Sequence, residues 1–366
     1  MDFSFSEEQQ MLQDMTERFV AGRYGFEARE RIRASAAGWS PDLWRELGEL
    51  GLLALAVPEA DGGIDAGPVG TMLVARAMGA GLLLEPFIAS AVVATTAVAR
   101  CPAGEGRDAL LAAMLAGEQL VVPLDEVLPT PGTIAATQED TGWRLRGRKP
   151  VVYHAPIADV LLVAAHHDGR TALFAVPRTA TGVEIESFRT LDDAVAGRVT
   201  LDLVVGMDAC LSTDAGEALG EAFDRGLAAF CADALGSMER ALQATLEYAR
   251  SRVQFGVPIG RFQALQHRLA DMLVQLEQAR SMTYLATSSL DEADITDRRA
   301  ALSGAKALVG QAARAIAQES VQLHGGMGMT DELDVSHHFR RLTAFELRHG
   351  STDAHLRAWR EHSLGT

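Results

Sequence analysis

The sequence predicts a mainly α-helical chain with a β domain in its middle. Three observations carry that expectation. Apolar residues recur at helical spacing over the first third and again from about residue 217 onward. Between these stretches the pattern changes to alternation, β-branched runs and turns. At 366 residues and 48% hydrophobic content, the chain is long enough for two or three domains around a large buried core.

In chain order, Ser6-Glu7-Glu8-Gln9 forms a capping box, and Leu12, Met15 and Phe19 then share one face, so a helix is expected over about 7–22. Ser40-Pro41 opens another, with Leu43, Trp44, Leu47 and Leu50 inward and Gly51 as its stop. Residues 69–78 and 87–98 read as buried helices, and 106–117 closes the set. This third holds no cluster of titratable side chains, so its role reads as packing and interface. Strands are expected over 133–138, 143–146, 160–165, 171–176 and 198–204, and Asp168-Gly169 is a two-residue hairpin signal. Long helices over 217–250, 265–290 and 296–323, followed by shorter ones, suit an antiparallel bundle.

The formal charge of -16 and a pI near 5.1 argue against a nucleic-acid partner, because phosphate binding needs a basic surface. Cys101, Cys210 and Cys231 are scattered, odd in number and without ligand spacing, so they read as small buried side chains and no metal site is expected. The N-terminal MDFSFSEEQQ lacks the basic and apolar regions of a signal peptide, and no window is apolar enough for a membrane span. The expected compartment is the cytoplasm.

The chemistry concentrates in 251–271, SRVQFGVPIGRFQALQHRLAD, between two long helical patterns. Gly256, Pro258 and Gly260 end the first helix, and Arg252, Gln254, Phe255, Arg261, Phe262 and Gln263 are presented between two helix ends. Arginine forks and a helix N-terminus both suit an anion. The run Arg252, Gln254-Phe255-Gly256, Pro258-Ile259, Phe262-Gln263, Gln266-His267, Ala270-Asp271-Met272 resembles the RxQFGxPIxxFQxxQHxLADM signature of acyl-CoA dehydrogenases. Gln322-Leu323-His324-Gly325-Gly326-Met327-Gly328-Met329-Thr330 is similar to the family's QxHGGxGxT, and LLALAVPEADGG over 52–63 to its PExxGG turn.

The resemblance implies the acyl-CoA dehydrogenase fold: an N-terminal helical domain over 1–118, a β-barrel-like middle domain over 119–210 and a C-terminal four-helix bundle over 211–366. It also implies FAD, with a carboxylate base that removes the proton α to the thioester and a flavin that takes hydride from the β-carbon. Here the chain departs from the family. Where relatives carry a TEPGAGSD-like loop it reads Val122-Pro123-Leu124-Asp125-Glu126-Val127-Leu128-Pro129, and where they carry WIT or WIS it reads Val151-Val152-Tyr153. His349 stands at the usual glutamate position and Gly226 at the alternative one, while Glu346 reads as a surface residue.

What remains intact is the half that resembles the grip on the adenosine end of FAD. By resemblance, Arg252 would pair with pyrophosphate oxygens, and Gln254 and Gln263 would bond phosphate or ribose. Phe255 would pack on adenosine with Phe262 in the core, and Gln322, Gly325 and Gly326 would meet the adenine end. His324, His337 and His338 read as structural or surface residues rather than metal ligands. Such a chain resembles the non-catalytic subunit of the α2β2 acyl-CoA dehydrogenases of actinobacterial steroid degradation, with FAD shared across the subunit interface and the acyl-CoA in the partner's site. Two alternatives stay open: a homo-oligomeric dehydrogenase with a displaced base, His349 being the candidate, and a flavin-free scaffold subunit.

Overall fold

The computed structural model describes residues 5–127 and 133–364, and the chain divides into two compact units. One holds Met1–Glu30, Pro68–Leu83 and Leu227–Thr366; the other holds Arg31–Gly67 and Leu84–Gly226. The first four residues of the acidic N-terminal stretch and Leu128-Pro129 lie outside the described residues.

Helix α1 (Glu7–Arg23) starts on the expected box: Ser6 Oγ accepts the Gln9 amide at 3.2 Å, and Gln9 Oε1 accepts the Ser6 amide at 3.0 Å. The apolar pattern gives no sign of α2 (Phe26–Ala34), because its buried anchor is Arg29. Arg29 Nε donates to the Leu82 carbonyl at 3.1 Å and Nη1 meets His337 Nδ1 at 2.9 Å, a polar anchorage that leaves no apolar stripe to read. Helix α3 (Pro41–Glu49) is capped by Ser40 and buries Trp44 and Leu47. Leu50, expected inward, is instead 37% exposed: the helix stops at Glu49, and Gly51 at φ +75° turns the chain.

Helix α4 (Gly67–Ala80) is buried along most of its length. The single helix expected over 87–98 is π-helical across Phe87–Ala94 and α-helical only in α5 (Thr95–Ala99). Nearly every side chain there is buried, so apolar spacing cannot tell one helical period from another. Helix α6 (Glu105–Leu115) completes this part.

The β region comprises β1 (Val121–Pro123), β2 (Ile134–Glu139), β3 (Gly142–Tyr153), β4 (Val160–His167), β5 (Arg170–Pro177), β6 (Val183–Arg189), β7 (Val195–Val205) and β8 (Cys210–Ser212). They form one sheet in the order β6-β7-β3-β2-β4-β5-β8, with β1 parallel to β4. Asp168 and Gly169, at φ +46° and +78°, form the turn that sets His167 opposite Arg170. Strands β1, β6 and β8 were not legible in the pattern: two are three residues long, and β6 lies at the end of the sheet with Glu184 and Glu186 among its side chains. The sheet shares an apolar core with the helices of the same unit through Leu162, Leu173, Val98, Leu111, Leu219 and Phe223.

The other unit is dominated by α7 (Gly216–Ser251), which enters it at Leu227, and by α8 (Gln263–Ser288), α9 (Ile295–His324), α10 (Asp334–Leu347) and α11 (Thr352–Leu364). A short hairpin, β9 (Val253–Gln254) and β10 (Val257–Pro258), separates α7 from α8. Phe230, Leu235, Met238, Leu276, Ile316 and Phe345 are buried in it, and each such side chain removed from water contributes about 1.5–3 kcal/mol. Helices α4 and α7 meet backbone to backbone: a Cβ on Gly79 would lie 1.9 Å from the Asp233 carbonyl, and one on Gly236 equally close to that of Arg76. Among the described residues no helix is long and apolar enough to cross a membrane.

Candidate functional site

The hinge after α7 is built by local backbone rules. Phe255 and Gly256, at φ +53° and +81°, close the two-residue turn, pairing Gln254 with Val257, and the Ile259 amide donates back to the Arg252 carbonyl at 2.9 Å. Phe255 thus bears two local costs, a left-handed backbone and a ring that is 92% exposed. Its neighbour Phe262, expected in the core, is 36% exposed and meets the Phe255 ring edge to face at 6.0 Å. The correction has a simple cause: Phe262 is the N-cap of α8 and stands outside the helix's buried face.

Because Phe262 offers no side-chain acceptor, the first amides of α8 have no side-chain cap, and the positive end of that helix opens at Gln263. Arg252 and Arg261 are exposed beside it, with no side-chain partner among the described residues. Gln254 and Gln263 are exposed as well; the Gln254 amide donates to the Val253 carbonyl at 2.9 Å. In a chain of net charge -16, two guanidinium groups unpaired among the described residues beside an uncapped helix start are chemistry that suits an anion.

The glycine block after α9 is tied to this hinge. Tyr248, in the last turn of α7, stacks on His324 at 4.4 Å and 26°, and His324 Nδ1 bonds the Ser320 carbonyl at 2.8 Å. His324 is therefore a strut. Gly325, at φ +63° and ψ -141°, occupies backbone space that side chains avoid. Gln322, Gly325 and Gly326 are exposed, and a Cβ at either glycine would meet open space. The Tyr248–His324 stack thus ties the end of α7 to the start of the glycine block, and both the hinge and that block are exposed.

The other half of a flavin site does not fit. Residues 122–127 and 151–153 do come together, around a cavity of about 170 Å³ lined by Pro123, Asp125, Glu126, Lys149, Val151 and Tyr153. Small-molecule sites run from roughly 300 Å³ upward, so this one is too small for a tricyclic ring. Asp125 and Lys149, both buried, hydrogen-bond in it. Burial pushes the Asp125 carboxyl up, against the pull of Lys149. Among the described residues no glycine-rich loop or aromatic platform replaces the missing motifs.

Neither base position carries a carboxylate. A Cβ on Gly226 would lie 2.5 Å from Val93 Cγ2, so any side chain there has to displace that valine. His349 is 6% exposed at φ +55°, its ring packed on Phe230 at 4.6 Å, and its carbonyl is bonded by His355 Nε2 at 2.7 Å. Glu346, expected at the surface, is half-buried and accepts from the amide and hydroxyl of Thr352 at 3.0 and 2.8 Å, anchoring the start of α11. Sequence reasoning missed Lys306, wholly buried on α9, whose Nζ donates to the Phe345 and Gly350 carbonyls at 3.0 Å each and pins the turn that bears His349. A lysine inside an apolar helical run was the available signal.

Two further histidines, His338 buried and His355 half-buried, give the chain a pH dependence. Burial lowers His338 well below its ordinary 6.5, aided by Arg240, Arg29 and Arg341, and burial also lowers His355. Below that ordinary value the unfolded state binds protons that the folded state refuses, so stability is present at neutral pH and is lost as pH falls. The expected loss approaches about 1.4 kcal/mol per pH unit for His338. Urea unfolding between neutral and mildly acidic pH checks this, and His338→Gln should flatten the slope.

Comparison with known proteins names this architecture. The family description "Acyl-CoA dehydrogenase, N-terminal domain" matches residues 6–118, and "Acyl-CoA dehydrogenase, C-terminal domain" matches 216–364. Acyl-CoA dehydrogenase FadE27 of Mycobacterium tuberculosis is 30% identical over 98% of this chain and 97% of its own. The ChsE4-ChsE5 complex from Mycobacterium tuberculosis contains a chain of TM-score 0.90 at 27% identity, with both chains covered completely. A variant of the Tcur3481-Tcur3483 steroid ACAD contains one of TM-score 0.89 at 27% identity, with 98% of each chain covered. The chain belongs to the acyl-CoA dehydrogenase family.

Proposed function

We propose that this chain is the half-site subunit of a heteromeric, FAD-dependent acyl-CoA dehydrogenase, lending a grip on the adenosine end of FAD to a catalytically complete partner. The observation that carries the reading is the imbalance of its own residues: the hinge and glycine block stand open and rich in donors, while the ring cavity is small and both base positions lack a carboxylate. Arg252 would hold pyrophosphate oxygens, Gln254 and Gln263 phosphate or ribose, Phe255 the adenosine face, and Gln322, Gly325 and Gly326 the adenine end. When bound, FAD supplies the hydride acceptor for the β-carbon of an acyl thioester. This chain's part is to bind and orient.

In this reading the three domains are 1–118, 119–210 and 211–366, the assembly is an α2β2 heterotetramer in the cytoplasm, and the acyl-CoA sits in the partner's site. A thioester of a steroid side chain is the proposed substrate, supported by likeness to the two paired complexes, one of them called a steroid ACAD. Such likeness is an argument by analogy for the substrate, whereas the clamp rests on this chain's residues.

The test is expression alone and with the catalytic partner. Alone, the chain should carry no flavin absorption and no dehydrogenase activity; together, the complex should be yellow and turn over steroid side-chain CoA thioesters. A yellow homo-oligomer that oxidises acyl-CoA unaided, and loses turnover but not flavin in His349→Gln, would establish the displaced-base enzyme instead.

A further inference from the structure

A second cavity, of about 450 Å³, opens in the unit that bears the hinge but apart from it. It lies between α1, the start of α2, α4, α7 and α10, and it includes none of the hinge or glycine-block residues. Glu239 and Arg240, its contribution from α7, stand about three turns before Ser251, roughly 17 Å along the helix. Its volume is in the range of ordinary small-molecule sites, and Val20, Phe26, Ala77 and Leu82 give it an apolar wall.

The polar groups of the cavity are unequally satisfied. His338 is 1% exposed and lines it, with Nδ1 2.8 Å from Ser237 Oγ. Ser237 is itself wholly buried and its hydroxyl has no other acceptor among the described residues, so it donates to Nδ1 and the ring hydrogen sits on Nε2. That Nε2–H has no partner among the described residues. Arg76 spends Nε on Glu239 at 2.6 Å, leaving both terminal nitrogens; Arg240 spends Nε and Nη2 on one oxygen of Asp334, leaving Nη1. On the acceptor side Glu239 Oε2 is taken by Arg76, Glu239 Oε1 is ion-paired with Arg280 at 3.1 Å but accepts no hydrogen bond, and one Glu17 oxygen is taken by Gln13. Three guanidinium nitrogens and one imidazole nitrogen thus remain against one oxygen each on Glu17, Glu239 and Asp334.

These nitrogens open into the cavity, and an occupant that brings a charged acceptor would give them charge-assisted hydrogen bonds that no side chain of the cavity supplies. We propose that this cavity binds a small amphiphilic carboxylate, its apolar body against Val20, Phe26, Ala77 and Leu82 and its carboxylate against the free nitrogens of Arg76, Arg240 and His338. An amine would compete with donors that already outnumber the open oxygens of Glu17, Glu239 and Asp334, and a neutral alcohol would forfeit the charge-assisted bonds.

The full chain, with its partner if the two co-purify, is titrated calorimetrically with hexanoate, 1-hexanol and hexylamine. Hexanoate should bind saturably and about tenfold or more tighter than hexanol, the difference expected of hydrogen bonds to a charged group, and hexylamine should not bind. Ala21, exposed at the cavity wall, allows the cavity to be filled from the surface: Ala21→Phe should keep the unfolding temperature and abolish the hexanoate heat. His338→Phe should weaken hexanoate while leaving hexanol unchanged; if that variant does not fold, Ala21→Phe alone decides. No saturable hexanoate binding, hexanoate binding that survives Ala21→Phe, or hexylamine binding as tight as hexanoate would overturn the proposal.

Discussion

Replacing Asp233 with alanine is expected to lower the unfolding free energy by about 3–5 kcal/mol. Asp233, on α7, accepts Nε of Arg341 at 2.8 Å and Nη2 at 2.5 Å through its two oxygens, and the third arm of that arginine donates to the Leu83 carbonyl at 2.9 Å. The carboxylate side chain is 3% exposed and the guanidinium 19%. Loss of the carboxylate therefore leaves a largely buried guanidinium without its two-oxygen partner, which costs more than the intact pair contributes. Asp233→Leu with Arg341→Met removes both charges and should recover most of the loss. Denaturant unfolding separates these outcomes: a loss under about 1 kcal/mol for Asp233→Ala would mark the pair as solvated. The pair also fastens α10 to α7, and α10 leads directly into the turn that bears His349, so the same variant should raise amide exchange around residues 347–351.

The fold was legible wherever a one-sided apolar pattern existed. The long helices α7, α8 and α9 and the β4–β5 hairpin come within a few residues of their expected bounds, because a repeating stripe or an Asp-Gly turn is written in adjacent residues. What escaped was held by other means. Helix α2 hangs on Arg29, the π-helical turn over Phe87–Ala94 is apolar on all sides, and β1 and β8 owe their three residues each to neighbours far along the chain.

At the site the same distinction holds. That Arg252 and Arg261 sit by an uncapped helix start followed from the glycine and proline spacing, but the stack of Tyr248 on His324 that joins hinge to glycine block requires two helices to end side by side. Lys306 and Glu346, which fix the turn around His349, looked like ordinary helix residues; their partners are backbone carbonyls in one case and a threonine six residues on in the other. The partners in such contacts leave no local trace in the sequence, even where, as with Lys306 in its apolar run, the residue itself stands out. For Phe262 the sequence misled outright, since an aromatic beside a helix start is read as core until the cap geometry shows it outside.

Arg252→Ala should strip FAD from the assembled enzyme while leaving the chain as stable as before. The two halves of that expectation come from one fact: the Arg252 side chain is exposed and makes no hydrogen bond or ion pair with another side chain among the described residues. Its removal costs folding within about 0.5 kcal/mol, as for other surface substitutions away from structural features. A guanidinium bonded to pyrophosphate is another matter, since hydrogen bonds to charged groups contribute about 1.5–3 kcal/mol, or roughly 10–100-fold in flavin retention. Arg252→Lys keeps the charge and loses the fork, so it should fall between alanine and wild type. Flavin absorbance per complex after gel filtration reads the effect, with thermal unfolding of the chain alone as the control. Full FAD occupancy in the alanine variant would remove the clamp and leave the scaffold reading. Loss of FAD with unchanged stability has no such alternative, because a side chain without internal partners can only be missed by something outside the chain.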